Sequence, residues 1–376
     1  MRLMYISRRF EENICATMHY RSIKAIFGEE NVITVDLSMD GKRSGENIIA
    51  YQSPTKWEKT VQRLTAYPRW LTWDIVRDIC NKIQQLGINK VYIDEGFLGI
   101  LTKQIKKVHP NIEVVTFYHD ISKILYTERL REKGLRYIYD YLSVLRGERL
   151  NVKNADCNLV LNDRDAVLFQ KCYGKKPEGY LPMGVAEPNL ADFEAHEFEF
   201  KRDQGERYLV FIGTYYEPNL RGLRWFVDQV FEKVPHHYHL VVVGRNLEKI
   251  ADEYPNDRVH IIGGVDSLAP YYNNADVVVG PVFGGGGMKQ KTAEAFAYGR
   301  CFLGTIESIQ GYEKELEIEH NGHRVVFASD NPAELIQAVD DIEKNGLSGF
   351  IPELNCAYER YYSKKALIGT LRRILE

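Results

Sequence analysis

The 376-residue chain contains no apolar run approaching the roughly 18–20 residues that a helix needs to cross a bilayer. Cysteine is sparse. Cys15, Cys80, Cys157, Cys172, Cys301 and Cys356 include no CxxC pair, and several sit in apolar runs. A zinc ribbon and a disulfide frame are thereby excluded, and the expectation is small core residues of a reducing compartment. Excess positive charge is also lacking: the net charge is −3, so no nucleic-acid partner is expected. Neither an internal repeat nor a low-complexity segment is visible. The opening MRLMYISRRF has too short an apolar run for a secretory signal and reads as a first strand, so a cytoplasmic protein is expected. His236, His237 and His239 precede a strand without a carboxylate or cysteine nearby; they read as surface residues, and no metal is expected.

Hydrophobic residues make up 44% and charged residues 27%, a soluble globular balance. The length exceeds one ordinary core and points to two domains. Short β-branched runs alternate with helical patterns: Leu3 to Ile6, Val32 to Leu37, Val91 to Ile93, Val114 to Tyr118 and Asn158 to Leu161, then Tyr208 to Ile212, Leu240 to Val243, Val259 to Ile262 and Val277 to Val279. In Trp73 to Leu86, Ile75, Ile79 and Ile83 recur at helical spacing. Such alternation is that of α/β domains with a parallel sheet covered by helices. Between Ala191 and Arg207 the apolar periodicity lapses and charge rises, which places the interdomain linker there. The expected divisions are 1–190, 207–355 and a terminal segment 356–376.

The second half is organised around Ala275 to Gly311, ADVVVGPVFGGGGMKQKTAEAFAYGRCFLGTIESIQG. Strand, glycine loop, helix and strand make one βαβ unit, whose loop amides and helix start face the carboxyl edge of the sheet, where anions bind. The helix is expected over Lys289 to Tyr298, ending at Gly299. Lys289 and Lys291 at its start oppose the helix dipole unless an anion lies between them. Glu294 follows one turn on. Glycine backbone, two lysines and a carboxylate suit a diphosphate carrying a ribose; the same residues also fit a glycine turn with solvated lysines.

Two acidic strand ends occur in the first half. Glu95 and the pair His119-Asp120 stand where open parallel sheets carry their active sites. Asp120 reads as a general base or sugar positioner, or as the cap of the following helix. Ile121 to Lys153 is expected to be helical with a break near Gly134. Its Lys123, Arg129, Arg131, Lys133, Arg136, Arg146, Arg149 and Lys153 outnumber Glu128, Glu132, Asp140 and Glu148. The segment is a solvated face over a core stripe or a contact with anionic lipid.

Four pieces, FIGTYYEPNLRGLRWF (211–226), VVVGR (241–245), IIGGVDSLAPYYNNADVVV (261–279) and GGGGMKQKTAEAFAYGR (284–300), occur in the order and spacing of a known family. Together they resemble the nucleotide-sugar-binding half of GT-B glycosyltransferases, most like glycosyltransferase family 4 (group 1). The resemblance is good over residues 208 to 340 and weaker before the linker. It implies two Rossmann-like, doubly wound parallel-sheet domains facing a cleft, with the last helix crossing back to the first domain. It further implies that Gly213 and Thr214 lie against the donor diphosphate, that Arg245 lines the cleft, and that Val265, Asp266 and Ser267 lie near the base. Gly286, Gly287 and Met288 would offer backbone to sugar and phosphate, Lys291 would contact the diphosphate and Glu294 the ribose. Family 4 members often carry two glutamates eight positions apart. The second matches Glu294, but the first falls on Gly286, so the sugar-facing carboxylate is missing.

The resemblance thus implies a hexosyltransferase, retaining by analogy, that uses no cofactor and takes a nucleotide-diphosphate sugar, commonly a UDP sugar, as donor. A saccharide or lipid-linked saccharide would be the acceptor, in cell-surface polysaccharide or glycoconjugate synthesis, with peripheral contact at the inner face of the membrane. His119, Asp120 and Lys291 are the candidate catalytic residues. A sugar-nucleotide epimerase on the same plan and a non-catalytic partner of a transferase are the competing expectations. A dinucleotide oxidoreductase is disfavoured because no GxGxxG follows the first strand of either half.

Overall fold

The structure is a computed structural model and describes residues 1–8, 14–63, 68, 70–188, 198 and 205–376. The chain divides into two units: Met1–Gly184 together with Leu367–Glu376, and Val185–Ala366. Most of the expected linker lies outside the described residues, and Arg207 already opens a strand.

The first unit holds β1 (Leu3–Ser7), β2 (Val32–Asp36), β3 (Ile48–Ala50), β4 (Lys90–Ile93), β5 (Glu113–Tyr118), β6 (Cys157–Val160) and β7 (Gly179–Tyr180). Its helices are α1 (Ile14–Phe27), α2 (Lys56–Arg63), α3 (Trp73–Gln85), α4 (Gly99–Val108), α5 (Ser122–Lys133), α6 (Ile138–Asn154) and α7 (Asp163–Tyr173). The seven strands pair in parallel in the order β3-β2-β1-β4-β5-β6-β7. Chain order reverses between β1 and β4, the switch point at which ligands of open α/β sheets bind. Ile75, Ile79 and Ile83 are buried as their spacing predicts, and the Thr72 hydroxyl caps α3 by accepting from the Ile75 amide at 3.4 Å. β3 and β7 escaped the sequence reading because two or three residues hold too little pattern. Gly134, at a φ of 72°, ends α5 before a 3-10 turn.

The second unit holds β8 (Arg207–Ile212), α8 (Glu217–Gln229), β9 (Tyr238–Val243), β10 (Val259–Ile262), α9 (Ala269–Asn274), β11 (Val277–Gly280), α10 (Gln290–Ala297) and β12 (Cys301–Gly304). A two-stranded antiparallel pair, β13 (Glu319–His320) and β14 (His323–Arg324), precedes β15 (Val326–Ala328) and α11 (Pro332–Lys344). The chain closes with two helices, α12 (Pro352–Tyr361) and α13 (Lys364–Leu375). The parallel sheet runs β10-β9-β8-β11-β12-β15, with its switch point between β8 and β11. β11 is buried along its whole length and β9 at every position except His239, which is why they read as unbroken Val and Leu runs. Burying each such side chain favours the fold by about 1.5–3 kcal/mol. In α13, Leu367, Leu371 and Leu375 are buried, and the Leu375 carbonyl accepts from Lys90 Nζ at 2.6 Å. His239 is a correction to the sequence reading. It lies within β9, where its ring stacks on His260 of β10 and Glu206 stands 3.6 Å away.

Candidate functional site

In a parallel sheet all strands deliver their following loops to one edge. The loops after β8, β9, β10 and β11 therefore bring Gly213-Thr214, Arg245, Val265-Asp266-Ser267 and Gly284 to Lys289 to the carboxyl edge of the second sheet. The β11 loop turns through positive φ at Gly284 (155°), Gly285 (102°) and Gly287 (64°). It is fastened on several sides. The Val282 amide donates to Thr305 Oγ1 at 3.0 Å, and an Arg221 guanidinium nitrogen donates to the Phe283 carbonyl at 2.7 Å. Met288 is buried. At Gly222 of α8 a Cβ would lie 1.9 Å from the Pro281 carbonyl oxygen, so only glycine lets the helix approach the loop this closely.

The two lysines have different surroundings. Lys289 precedes α10; its ammonium pairs with Glu307 at 2.9 Å and donates to the Gly286 and Gly287 carbonyls at 3.3 Å. The anion expected beside it is thus supplied by the chain, and Lys289 staples the loop. Lys291 lies in the first turn of α10. Its Nζ sits 4.2 Å from the Phe211 ring centroid and donates to Asn219 Oδ1 at 3.3 Å. Burial lowers its pKa to about 7; Glu294 acts against this shift and Lys289 adds to it. Glu294 accepts from the Tyr272 hydroxyl at 2.5 Å and from Gln290 Nε2 at 2.6 Å. Burial raises its pKa, and these two donors and Lys291 moderate the rise. Both charges are therefore penalised here, and an anion at Lys291 would relieve the first penalty. The helix ends as expected, Gly299 at a φ of 58° and the Arg300 amide reaching the Ala295 carbonyl at 2.9 Å.

Arg245 is exposed, and its carbonyl accepts from the Tyr215 amide at 3.1 Å. Asp266 is exposed and Val265 partly so, while Ser267 Oγ accepts from the Ala269 amide at 3.2 Å at the start of α9.

In the first unit His119 and Asp120 follow β5. Asp120 does not cap α5: the N-cap is Ile121, without a side-chain bond. The amides of Ser122 and Lys123 instead donate to Glu148 of α6 at 2.8 and 3.0 Å. At the end of β4 it is Asp94, rather than the partly exposed Glu95, that is inaccessible. Asp94 lies 3.2 Å from His119 and 3.1 Å from His19. Sequence reasoning missed both Asp94 and His19. The one available signal was an acid at a strand end beside the acid that was chosen. Among the described residues no group of three or more His, Cys, Asp or Glu side chains is placed to hold a metal ion.

Residues 206–345 match the model of a family described as glycosyl transferases group 1. HepE from Anabaena, solved in complex with UDP, superimposes with a TM-score of 0.71 at 11% identity, covering 100% of this chain and 99% of its own. The lipopolysaccharide outer core galactosyltransferase WaaB, in its apo form, gives 0.67 at 10% identity over 100% and 99% of the two chains. A glycosyltransferase from Rickettsia africae ESF-5 gives 0.69 at 11% identity over 99% and 97%. No curated sequence relative was found. The family match thus falls on the unit carrying Lys291 and Glu294, and the likeness in fold runs along the whole chain.

Proposed function

We propose that the protein is a glycosyltransferase that moves a sugar from a nucleotide-diphosphate sugar, UDP-linked, to a saccharide or lipid-linked saccharide, in the synthesis of cell-surface polysaccharide or glycoconjugate. The observation that carries this reading is the Lys291–Glu294 pair beneath the fastened glycine loop, at a switch point inside the matched region. In this reading Gly213, Thr214, Gly286, Gly287 and Met288 line the diphosphate and sugar, with Lys289 holding the loop in shape. Arg245, Val265, Asp266 and Ser267 border the nucleoside, and Glu294 takes the ribose hydroxyls.

In the reaction the bond from the anomeric carbon to the diphosphate oxygen breaks and a bond from that carbon to the acceptor oxygen forms. Negative charge grows on the departing diphosphate, where the Lys291 ammonium and the loop amides stabilise it. The acceptor proton goes to Asp120 if the configuration inverts, or to a donor phosphate oxygen if it is retained; by analogy with family 4 we favour retention. HepE was solved with UDP, which supports a uridine donor.

The acceptor reading includes contact with the inner face of a membrane. No helix among the described residues is long and apolar enough to cross one. Leu135, Ile138 and Leu142 are 80%, 39% and 46% exposed, and Arg131, Lys133, Arg136, Arg146 and Arg149 surround them in sequence. Apolar side chains rimmed by cations suit an anionic lipid surface. The activity itself is tested by incubating the full chain with a panel of nucleotide sugars, with and without saccharide acceptors. UDP release that requires an acceptor is the expected result, and absence of release throughout the panel would refute the reading.

A further inference from the structure

Cys15, His19, Asp94 and His119 are far apart in the chain and meet at the carboxyl edge of the first sheet, around its switch point. Cys15 and His19 lie one turn apart on α1, Asp94 follows β4, and His119 follows β5. One oxygen of Asp94, Oδ1, stands 3.1 Å from His19 Nδ1 and 3.2 Å from His119 Nε2. The other, Oδ2, accepts from the Tyr5 hydroxyl of β1 at 2.6 Å. His19 Nε2 stands 3.6 Å from Cys15 Sγ, and the Tyr92 hydroxyl of β4 stands 3.2 Å from His19 Nδ1. Phe117 of β5 meets both imidazoles edge-on, with centroids 4.5 and 4.8 Å away.

A carboxylate with no access to water stays ionised only when cations and donors surround it. Asp94 and His19 have side-chain exposures of 0%, whereas His119 is 21% exposed. One carboxylate oxygen thus faces two imidazole rings, and of the two the ring of His119 is the one that reaches the surface.

We propose that Asp94 is a positioning residue for His119: it fixes the ring through Nε2 and keeps it a cation. His119 then offers a ligand a charged hydrogen-bond donor and does not act as a base. Only the presence of a donor or acceptor sugar at His119 rests on the transferase reading; the hold of Asp94 on His119 does not. The direction of every titration agrees. Burial opposes charge on His119, but Asp94 and then Cys15 raise its pKa well above the ordinary value. Burial likewise opposes charge on His19, and Cys15 and Asp94 raise it to about 9. Burial would raise Cys15, but His19 and His119 bring it down to about 6. Burial would raise Asp94 too, and His119 and His19 hold it well below the carboxylate range.

The test is imidazole titration by NMR on the full-length chain. In the parent, the His119 ring resonances should keep imidazolium shifts and not titrate between about pH 6 and 8. In Asp94→Asn they should titrate near or below the ordinary histidine value of about 6.5. Titration of His119 within that window in the parent, or no change in the variant, would overturn the proposal. The parent measurement requires no variant and decides even if Asp94→Asn fails to fold. Turnover, read as UDP released from UDP-glucose, separates positioning from mere structure. Asp94→Asn should lose about 10–100-fold in kcat at pH 8, the usual effect of removing an orienting partner. It should recover part of this loss at pH 6, whereas His119→Ala should not recover at any pH. A loss in Asp94→Asn that is equal at both pH values would also overturn positioning. No turnover by the parent counts against the transferase reading, and the titration still decides for or against Asp94.

Discussion

Tyr272 donates a 2.5 Å hydrogen bond to Oε2 of Glu294, and Gln290 donates to Oε1 at 2.6 Å. A carboxylate offers about four acceptor positions, so two remain, the number that the two hydroxyls of a ribose would fill. Tyr272 lies on α9 and also stacks on Tyr298, with ring centroids 4.8 Å apart. The carboxylate is therefore held in place before any ligand arrives.

The first prediction follows from that geometry. Glu294→Ala removes charge-assisted hydrogen bonds worth about 1.5–3 kcal/mol. UDP affinity should fall about 10–100-fold while the melting transition stays cooperative. Tyr272→Phe keeps the acceptor positions but removes a donor that favours the charged form, so UDP affinity should drop most at the acidic end of its pH range. Calorimetric titration with UDP checks both; unchanged affinity in Glu294→Ala would remove the ribose assignment.

The second prediction concerns Lys291. Burial lowers its pKa to about 7, with Glu294 opposing and Lys289 assisting. An approaching diphosphate favours the charged form and raises the pKa again. Above about pH 7 the free protein holds a neutral Lys291, so UDP binding must take up a proton and weaken as pH rises further. Below about pH 7 the lysine is already charged and proton uptake vanishes. Calorimetry at pH 8 in buffers of different ionisation heat should show the uptake, and Lys291→Ala should abolish it. The same variant should lower turnover more than UDP binding, because the charge on the leaving diphosphate is greatest in the transition state. A variant with parental kcat and only a raised KM would contradict this.

What was legible in the sequence was local. Val277–Val279, the four glycines, Lys291 and Glu294 lie within twenty residues, and strand and helix periods alone place them on one βαβ unit. What was not legible depends on partners far away in the chain. From sequence Lys289 reads as available, but Glu307 stands beside it, and the cap alternative for Asp120 gives way to Glu148, in the next long helix, which holds the α5 amides. His19 and Asp94, 75 residues apart, meet because β1 and β4 are neighbours, and strand order is not written in any local pattern. The strands of two or three residues, β3, β7, β13 and β14, are set by their pairing partners rather than by their own composition.

A third prediction concerns the basic segment. If Leu135, Ile138 and Leu142 enter a lipid surface, binding should require anionic lipid, since each nearby cation contributes about 1 kcal/mol and the attraction decays within a Debye length. Cosedimentation with phosphatidylglycerol vesicles should exceed that with phosphatidylcholine and fade at high salt. Leu142→Asp should weaken it without changing UDP affinity. Equal sedimentation with both lipids would make the segment a solvated face.

The last prediction separates chemistry from capping at the end of β5. Glu148 carries the cap: it accepts the Ser122 and Lys123 amides at 2.8 and 3.0 Å, and burial raises its pKa to about 7 against the pull of these donors. Glu148→Ala strands those donors and should cost about 0.5–2 kcal/mol, the usual range for losing an N-cap. The melting temperature should then fall by a few degrees. Asp120→Asn keeps the size and one acceptor oxygen of the side chain, so it should melt close to the parent. If Asp120 takes the acceptor proton, this variant should lose about 100–10,000-fold in turnover, the range of general acid–base catalysis. If the donor phosphate takes it, turnover should persist. Proton NMR of the new anomeric centre provides the independent check. An inverted product together with an inactive Asp120→Asn makes Asp120 the base, whereas a retained product with an active variant leaves the proton to the departing diphosphate and gives Lys291 the larger share of the catalysis.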